Sequence, residues 1–207
     1  MTAVDHLSRA TLETAPPPCR TCMWWQQSDA SARDRFIDQI EDDFGPWGKL
    51  YRDGDRVIGL IQYGPATCFP RARSLPAGPP GRDAVLVTCA YLTDANSPWV
   101  LQSLFLAAIG ECRDRGLPAL ETFAYRYPAG EDFATRFLGH RTIFPADFLR
   151  DFGFHTHRGS GRIELMRLDL RAIETTAERS RFDRLRERLA VVNPMPAVHP
   201  LHPVDRR

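Results

Sequence analysis

Lysine, long apolar runs and a charge excess of either sign are nearly absent from this sequence. Lys49 is the single lysine among 27 basic residues, which 26 acidic residues balance to a formal net charge of +1. A chain so evenly balanced has no bulk charge with which to hold nucleic acid or an anionic lipid surface. No stretch reaches the roughly 18 consecutive apolar residues that a membrane-spanning helix requires. We therefore expect neither nucleic acid nor a membrane as a partner.

Cysteine is scarce, and its spacing fits neither a disulfide framework nor a zinc site. The five cysteines are an odd number in a chain of 207 residues, which can bury a core without disulfides. Cys19 and Cys22 form a Cys-x-x-Cys motif, but the sequence has no second such motif and no histidine pair at zinc-finger spacing. His155 and His157, on one face of a predicted strand, have no evident third ligand. We expect reduced thiols, a cytoplasmic protein and no metal, with a zinc- or redox-dependent role of Cys19 and Cys22 as a further hypothesis.

The N-terminal part carries weak signals. Residues 1–18 contain three consecutive prolines, little periodicity and no apolar segment of a secretory signal, so we interpret them as a flexible leader. The apolar residues of 20–26 predict a short buried strand. A helix follows, with Ser31 as its expected N-cap and Gly45 at its end. Its buried stripe comprises Phe36, Ile37, Ile40 and Phe44.

The strongest strand signals lie in the middle of the sequence. Segments 49–52 and 56–63 flank Asp53-Gly54-Asp55, where Asp-Gly supplies the positive φ angles of a tight hairpin turn. A proline-rich loop follows over 64–83. Residues 84–92 are almost continuously apolar, as expected for a central strand that is covered on both faces.

A long helix is predicted from Pro98, with Ser97 as its N-cap, because apolar residues recur on one face as far as Cys112. Gly116 ends this helix. The elements that follow are a strand 119–125, an irregular segment 126–144, a helix 145–152, a hairpin of 154–158 with 162–170, an amphipathic helix 171–193 and a proline-rich tail 194–207. The apolar stripe of the C-terminal helix suits a homodimer contact or packing on the sheet, and both alternatives stay open.

This order of elements predicts one α/β domain over 19–170. Helices that alternate with strands cover both faces of a single sheet. The unit formed by the strand 84–92, the helix after it and the strand 119–125 predicts a central parallel crossover, which should be right-handed.

In this order the sequence resembles the GNAT superfamily of acyl-CoA-dependent N-acyltransferases. The segments that carry the resemblance are the hairpin strand 56–64, the strand 84–92, the helix end Arg113-Asp114-Arg115-Gly116, the strand start 119–121 and the helix 146–152 with Gly153-Phe154 after it. The resemblance covers roughly residues 20–170. It implies a GNAT-like α/β fold with a mixed, largely antiparallel sheet, one central parallel β-α-β crossover and helices on both faces.

The resemblance also implies a reaction and a binding site. The reaction is N-acetyl transfer, in which an acceptor amine attacks the thioester of the co-substrate acetyl-CoA directly. The pantetheine arm would lie where strands 84–92 and 119–125 splay apart, and the pyrophosphate on amides at the start of the next helix. The cofactor-binding residues expected there are Tyr91, Leu92, Thr93, Asn96, Ser97, Trp99, Val100 and Gln102. Arg71, Arg73 and Arg82 suit the phosphates, with a solvated basic loop as the alternative interpretation.

Several positions depart from the pattern of the family. Trp99 and Leu101 stand where its pyrophosphate loop has glycines, which let a bare backbone approach the phosphates. Leu149 stands where the family often has a proton-donating tyrosine. No carboxylate occurs between 84 and 93, where the family often has its base.

Other residues are therefore candidates for the acid and the base. Glu121 is the candidate base and Tyr125 the candidate acid, with Tyr91 and Tyr127 as alternative proton donors. The competing interpretation of Glu121 is an exposed strand residue, and that of the tyrosines is core packing with a satisfied hydroxyl.

Two functions follow from these departures. The first is an acetyl-CoA-dependent N-acetyltransferase with a diverged loop, whose acceptor is a small-molecule or peptide amine bound by 64–83 and 126–144. The second is a catalytically inactive GNAT-like binding or regulatory protein with a degenerate pyrophosphate loop.

Overall fold

The computed structural model describes residues 2–128, 130–139 and 142–174, which form one 8-stranded sheet with helices around it. The strands are β1 (Thr2–Leu7), β2 (Gly48–Asp53), β3 (Arg56–Pro65), β4 (Ala84–Leu92), β5 (Ala119–Tyr125), β6 (Phe144–Pro145), β7 (His155–Ser160) and β8 (Ile163–Asp169). The helices are α1 (Arg9–Leu12), α2 (Pro17–Arg20), α3 (Arg33–Asp43), α4 (Pro98–Asp114), α5 (Phe133–Gly139), α6 (Ala146–Asp151) and α7 (Arg171–Glu174). The strand order is β1-β2-β3-β4-β5-β8-β7, and β6 pairs with β5 off this path.

The sheet confirms the predicted fold class. β4 and β5 pair in parallel and are joined by α4, whereas β1 to β4 and β5, β8 and β7 form antiparallel pairs on either side. The core on one side of the sheet contains residues of α4 and α6, and the core on the other contains residues of α3. We call these sides the α4 face and the α3 face. Both faces of β4 are thus covered, as its apolar sequence requires.

Local signals predict the central elements correctly. β4 and β5 have the predicted bounds, and the β2–β3 hairpin turns at Gly54, whose φ is 57°. α4 begins at Pro98 and is followed by Gly116, whose φ of 70° lies in the left-handed region that glycine tolerates. Ser97 holds the N-cap position, but its side chain makes no capping bond to the helix. Its hydroxyl instead donates to Asp94 at 3.2 Å.

The prediction of a flexible leader over 1–18 is wrong for its described residues, which begin at residue 2. β1 pairs with β2 along its whole length, and Leu7 is only 2% exposed. Asp5 forms an ion pair with Arg52 of β2. The prolines begin α2, since proline suits the first turn of a helix. The segment is therefore an edge strand followed by two short helices.

The prediction of a strand over 20–26 is also wrong. This segment contains the end of α2 and a series of turns, and Trp25 is buried within it at 2% exposure. A short apolar run alone does not distinguish a strand from a buried turn. Ser31 does not cap α3, whose N-cap position is held by Ala32 without a side-chain capping bond. The Asp29 carboxylate instead accepts the Ser31 amide at 2.9 Å and caps the 3-10 turn Ala30–Ala32 that precedes α3. Gly45 ends α3 as predicted.

The remaining predictions concern the C-terminal half. α6 and the β7–β8 hairpin are confirmed, and α5 is a helix within the segment 126–144 that the sequence predicts as irregular. α7 begins where the helix 171–193 is predicted. The rest of that helix, its dimer contact and the tail 194–207 lie outside the described residues. Over the described ranges, no helix combines the length and the apolarity needed to cross a membrane.

A buried ion-pair network joins the single lysine to α4. The Lys49 ammonium contacts the Glu111 carboxylate, and these side chains are 9% and 13% exposed. Tyr63 donates to the same carboxylate at 2.9 Å and Arg115 at 3.3 Å. Burial alone would raise the pKa of Glu111, but the hydrogen bonds from Lys49 and Tyr63 outweigh it and lower that pKa. The Glu111 carboxylate therefore holds α4 on the sheet as an anion.

Replacing Glu111 by glutamine is expected to reduce the acid sensitivity of the fold. The folded pKa of Glu111 lies below the unfolded value of about 4.3, so the unfolded state binds more protons between the two values. The stabilisation is thus present above the unfolded pKa and lost as the pH falls through the folded pKa. As the pH falls from about 5 to about 3, we therefore expect the native protein to lose more unfolding free energy than Glu111→Gln does.

Urea denaturation at several pH values measures this difference. Asp114→Asn is the matched control, because the Asp114 carboxylate is 68% exposed at the end of the same helix. Equal pH dependence in the native protein and in Glu111→Gln would contradict the assignment.

Candidate functional site

The central parallel pair of strands separates halfway along its length. β4 and β5 pair only over 84–87 and 119–122. Beyond that point, residues 89–92 pair with β3 alone among the described strands. Residues 123–125 pair with β8 and, at their end, with β6. Within the described residues, the edge of β4 that faces β5 therefore lacks a partner strand in this half. Such an edge is a template for another extended chain.

A β-bulge lies where the two strands separate. The register with β3 slips by one residue after Gln62, which makes Thr88 an extra residue of β4. The Thr88 hydroxyl donates to the Gln62 carbonyl at 3.1 Å. Because one extra residue reverses the alternation of side chains, Cys89 and Tyr91 lie on the α3 face. Without the bulge, both would face α4.

A pocket of about 410 Å³ lies on the α3 face beside the separated half of β4. We call it the tryptophan pocket, because Trp24, Trp25 and Trp47 line it. The N-terminal segment contributes Leu7 and Leu12, and β4 contributes its residues 89–91. None of the described residues that line this pocket is Asp, Glu, Lys, Arg or His. The pocket is thus apolar, aromatic and uncharged.

Two residues that line this pocket each carry a buried donor without a hydrogen-bond partner in the described structure. Trp25 stacks on Phe123 with 6.2 Å between ring centroids, and Trp24 meets it edge-on at 5.0 Å. The Trp25 indole Nε1 and the Gln26 amide Nε2 are buried, and neither makes a hydrogen bond within the part of the chain that the structure describes. Since buried polar groups are normally satisfied, these two donors are exceptions among the described residues that line the pocket.

Three cysteines also line the tryptophan pocket. They are Cys19, Cys22 and Cys89. Burial raises the pKa of the Cys89 thiol to about 12, so Cys89 is protonated at neutral pH and is a poor nucleophile. Across the described residues, no group of three or more His, Cys, Asp or Glu side chains is arranged to hold a metal ion.

The turn before α4 already uses most of its own amides. Pro98 has no N–H, the Asn96 amide donates to Asp94 Oδ1 at 2.9 Å, and the Val100 amide donates to the Ser97 carbonyl at 3.0 Å. The backbone bond from Asn96 is the main cause of the lowered pKa of Asp94. A carboxylate of the chain itself therefore lies in the turn where the sequence predicts a pyrophosphate.

Most of the predicted cofactor-binding residues lie together. Seven of them lie at the end of β4 and the start of α4: Leu92, Thr93, Asn96, Ser97, Trp99, Val100 and Gln102. The eighth, Tyr91, lines the tryptophan pocket. Trp99 is 40% exposed. Val100 packs so tightly on Gly59 of β3 that a Cβ added there would lie 2.5 Å from its Cγ1. The backbone of this turn is therefore held firmly against the sheet.

The predicted phosphate-binding arginines lie elsewhere. Arg71 and Arg73 belong to the 3-10 turn Pro70–Arg73, and Arg82 is exposed in the loop after it. The Arg71 guanidinium lies 4.2 Å from the centre of the Trp24 ring and donates to the Trp24 carbonyl. These contacts hold Arg71 at the margin of the tryptophan pocket.

The candidate base, Glu121, is 0% exposed in the paired half of β5. Its carboxylate accepts from Arg167 Nη1 at 2.9 Å and from the Gly81 amide at 2.7 Å. Arg167 in turn binds Asp83 at 2.6 Å. The interpretation of Glu121 as an exposed strand residue is therefore wrong. Its bonds attach the loop 64–83 to β5 and β8, an arrangement that favours a structural role for Glu121.

The candidate acid, Tyr125, lies at the far end of β5. It lines a second cavity of about 350 Å³ with Tyr127, and their ring centroids are 4.7 Å apart. Four residues of strand separate Tyr125 from Glu121, a distance of about 13 Å. The structure thus does not bring the two candidates together, and their catalytic roles stay predictions.

The α4 side of the gap is filled by aromatic side chains. β6 occupies the edge of β5 that faces the gap, because β8 occupies the other edge. Phe144 of β6 packs on Phe105 of α4 at 5.0 Å, and Phe148 of α6 packs on the same ring at 5.4 Å. Leu149 is completely buried beside them. The gap is therefore more accessible from the α3 face.

Sequence reasoning missed the residues that build the tryptophan pocket. Leu7 and Leu12 fall in the supposed leader, and Trp24, Trp25 and Gln26 fall in the supposed strand. The Trp24-Trp25 pair was the available signal, because two adjacent tryptophans before a helix are a large apolar area that needs cover.

Comparison with known proteins finds similarity of fold only. No family model matches the sequence, and no curated protein matches it. An N-acetyltransferase from Staphylococcus aureus Mu50 aligns with 82% of this chain and 99% of its own, at a TM-score of 0.50 and 12% identity. A ribosomal-protein-alanine N-acetyltransferase from Brucella melitensis aligns with 81% of this chain and 99% of its own, at a TM-score of 0.48 and 17% identity. A PaiA N-acetyltransferase from Thermoplasma acidophilum in complex with coenzyme A aligns with 82% of this chain and 99% of its own, at a TM-score of 0.48 and 13% identity. The first of these likenesses confirms the GNAT-like fold that the sequence predicts.

Proposed function

We propose that this chain is an acyl-CoA-dependent N-acyltransferase with acetyl-CoA as its co-substrate. The observation that carries the proposal is the separation of β4 and β5 beside the tryptophan pocket. It leaves a strand edge over 88–92 for an extended pantetheine arm and a pocket on the α3 face for the acceptor. The fold, which is similar to that of an N-acetyltransferase, supports the proposal.

For direct acyl transfer, the main contribution of the protein is to position the acceptor amine and the thioester. The acceptor nitrogen attacks the thioester carbonyl, the carbon–sulfur bond breaks, and the thiolate takes up the proton that the nitrogen loses. Holding both reactants in one gap supplies proximity. Backbone N–H groups along the edge 88–92 can donate to the carbonyl oxygen as negative charge develops on it.

We propose Tyr91 as the proton donor for the thiolate. Tyr91 lines the tryptophan pocket and belongs to the segment 88–92 that would bind the donor. A tyrosine hydroxyl can both donate and accept a hydrogen bond, as this proton transfer requires. Cys89, in the same segment, holds its own proton too firmly to serve as a nucleophile.

The residues fit the pantetheine better than the pyrophosphate. Asp94 holds a negative charge in the turn before α4, and Trp99 stands where a glycine would let the backbone approach a phosphate. We therefore propose that acetyl-CoA is held mainly through its pantetheine, with weak support for its phosphates.

Asp94→Asn is expected to bind acetyl-CoA about three- to tenfold more tightly than the native protein. Removing one negative charge relieves repulsion of the pyrophosphate, while asparagine keeps an oxygen that can accept the Asn96 amide. Calorimetric titration with acetyl-CoA measures the gain, which should shrink at high salt because the charges are exposed.

Asp114→Asn is the control for this experiment. It removes a like charge from the opposite end of α4, about 25 Å away, and should leave the affinity unchanged. Equal affinities of the native protein and Asp94→Asn would show that the pyrophosphate does not lie at this turn.

Release of coenzyme A thiol in the presence of an amine tests the function itself. Transfer would appear as thiol release that depends on both acetyl-CoA and the amine. If neither the native protein nor Asp94→Asn binds acetyl-CoA, the enzyme proposal fails.

A non-catalytic binding protein is the second candidate, and the filled α4 side of the gap together with Asp94 favours it. It predicts that the tryptophan pocket still binds its ligand when no acetyl-CoA binds. Ligand binding to the pocket without any acetyl-CoA binding would therefore favour this candidate.

A further inference from the structure

We propose that the ligand of the tryptophan pocket is an uncharged aromatic amine that also carries a hydrogen-bond-accepting oxygen. Its role as the acceptor of the acyl group rests on the proposed function. Its binding to the pocket rests only on the shape, charge and unsatisfied donors of the pocket, so the two are tested separately.

The charge of the pocket excludes an ammonium ligand. None of the described lining residues carries an ionisable carboxylate that could pair with a cation. Arg71 contacts the lining, because its guanidinium lies over Trp24, and its positive charge would repel a second cation. Moving an unpaired ammonium from water into such a site is costly. Polyamines, lysine side chains and protonated alkylamines therefore fit poorly.

An aromatic amine also accounts for the missing base. Direct acyl transfer needs the unprotonated amine, and a carboxylate or histidine would normally remove the proton from an alkylammonium. The described lining of the pocket has neither. The nitrogen lone pair of an aromatic amine is delocalised into the ring, so the amine is already uncharged at neutral pH. In the transfer it forms the new nitrogen–carbon bond, the carbon–sulfur bond breaks, and its surplus proton passes through Tyr91 to the coenzyme A sulfur.

The lining of the pocket selects a flat ring with an oxygen. Trp24, Trp25 and Trp47 surround a volume of about 410 Å³, which suits a small aromatic molecule that packs against their rings. Trp25 Nε1 and Gln26 Nε2 are buried donors without partners in the described structure. A carbonyl oxygen on the ligand would satisfy one or both of them, whereas a purely apolar ligand would leave both unpaired.

Three probes separate these requirements when each is titrated calorimetrically into the full-length protein without acetyl-CoA. Para-aminobenzamide has the uncharged amine, the ring and the carbonyl oxygen. Aniline lacks the oxygen, and para-(aminomethyl)benzamide has a protonated amine. We expect para-aminobenzamide to bind at least about tenfold more tightly than either of the others.

Variants of the two donors test where the oxygen binds. Trp25→Phe keeps a ring beside Phe123 but removes Nε1, and should weaken para-aminobenzamide about five- to tenfold while leaving aniline nearly unchanged. Gln26→Leu is the second variant, should Trp25→Phe fail to fold. Tryptophan emission of Trp99→Phe locates the probe, because its three remaining tryptophans all line the pocket.

The outcomes distinguish this inference from the proposed function. Tighter binding of the protonated probe, or no binding of any probe, would overturn the inference even if thiol release showed acyl transfer to another amine. An equal loss for aniline and para-aminobenzamide in both variants would overturn the role of the two donors. If the expected binding pattern holds but no thiol is released, the ligand class of the pocket stands and the proposed enzyme fails.

Discussion

Replacing Arg167 by leucine is expected to lower the free energy of unfolding by about 3–5 kcal/mol. The change leaves the Glu121 carboxylate, which is 0% exposed, without its cation. A buried charge that loses its partner still has the free-energy cost of its removal from water, but no longer the favourable interaction that offset this cost. The change also releases Asp83 and with it the loop that the Gly81 amide joins to Glu121. Urea denaturation followed by circular dichroism measures the effect.

The double variant Glu121→Leu/Arg167→Leu is the informative control for this prediction. It removes both charges and leaves no buried ion, so it should be more stable than Arg167→Leu alone. Asp83→Asn should cost less than about 1 kcal/mol, because the Asp83 side chain is 59% exposed. An Arg167→Leu variant as stable as the native protein would contradict a structural role for the contact between Glu121 and Arg167.

Replacing Tyr91 by phenylalanine is expected to lower kcat for acyl transfer by about 100-fold. Phenylalanine keeps the ring that lines the tryptophan pocket but cannot give a proton to the departing thiolate. We expect little change in KM, since the hydroxyl acts on the transition state.

Tyr51→Phe is the matched control for this variant, because Tyr51 is a buried tyrosine on β2 that packs on the α4 face, outside the pocket. It should leave kcat and KM as they are. Tyr125→Phe decides between the two tyrosines. A 100-fold loss in Tyr125→Phe with no loss in Tyr91→Phe would assign the proton transfer to Tyr125 instead.

The central elements could be predicted because each of their signals lies within a few residues. The Asp-Gly turn marks the hairpin, Pro98 and Gly116 mark the ends of α4, and the apolar run marks β4. Their order was then enough to suggest the fold, which the structure confirms.

The strand β1 could not be predicted because it forms only by pairing with a distant strand, β2. Val4 is 37% exposed, and among the residues of β1 only Leu7 is buried, so the segment shows little alternation. Its pairing depends on β2, which begins with Gly48 about 40 residues later. The pattern of apolar residues within β1 does not reveal a contact with residues so far along the chain.

The candidate site depends on the same kind of distant contact. The bulge at Thr88, which turns Cys89 and Tyr91 toward the pocket, is defined only by the register with β3. Glu121 appeared as an exposed strand residue or a base because its partner Arg167 lies 46 residues further along the chain. The residues of the site were thus visible in the sequence, but their neighbours were not.

The burial of Lys49 has a practical consequence for measuring acyl transfer. Acyl thioesters react spontaneously with exposed, unprotonated lysine amines, and in many proteins this side reaction obscures slow enzymatic turnover. Here the single lysine side chain is 9% exposed and contacts the Glu111 carboxylate. The protein thus offers acyl thioesters no accessible lysine of its own. An acyl group found on the protein after incubation would accordingly mark a different nucleophile, such as the exposed thiol of Cys22.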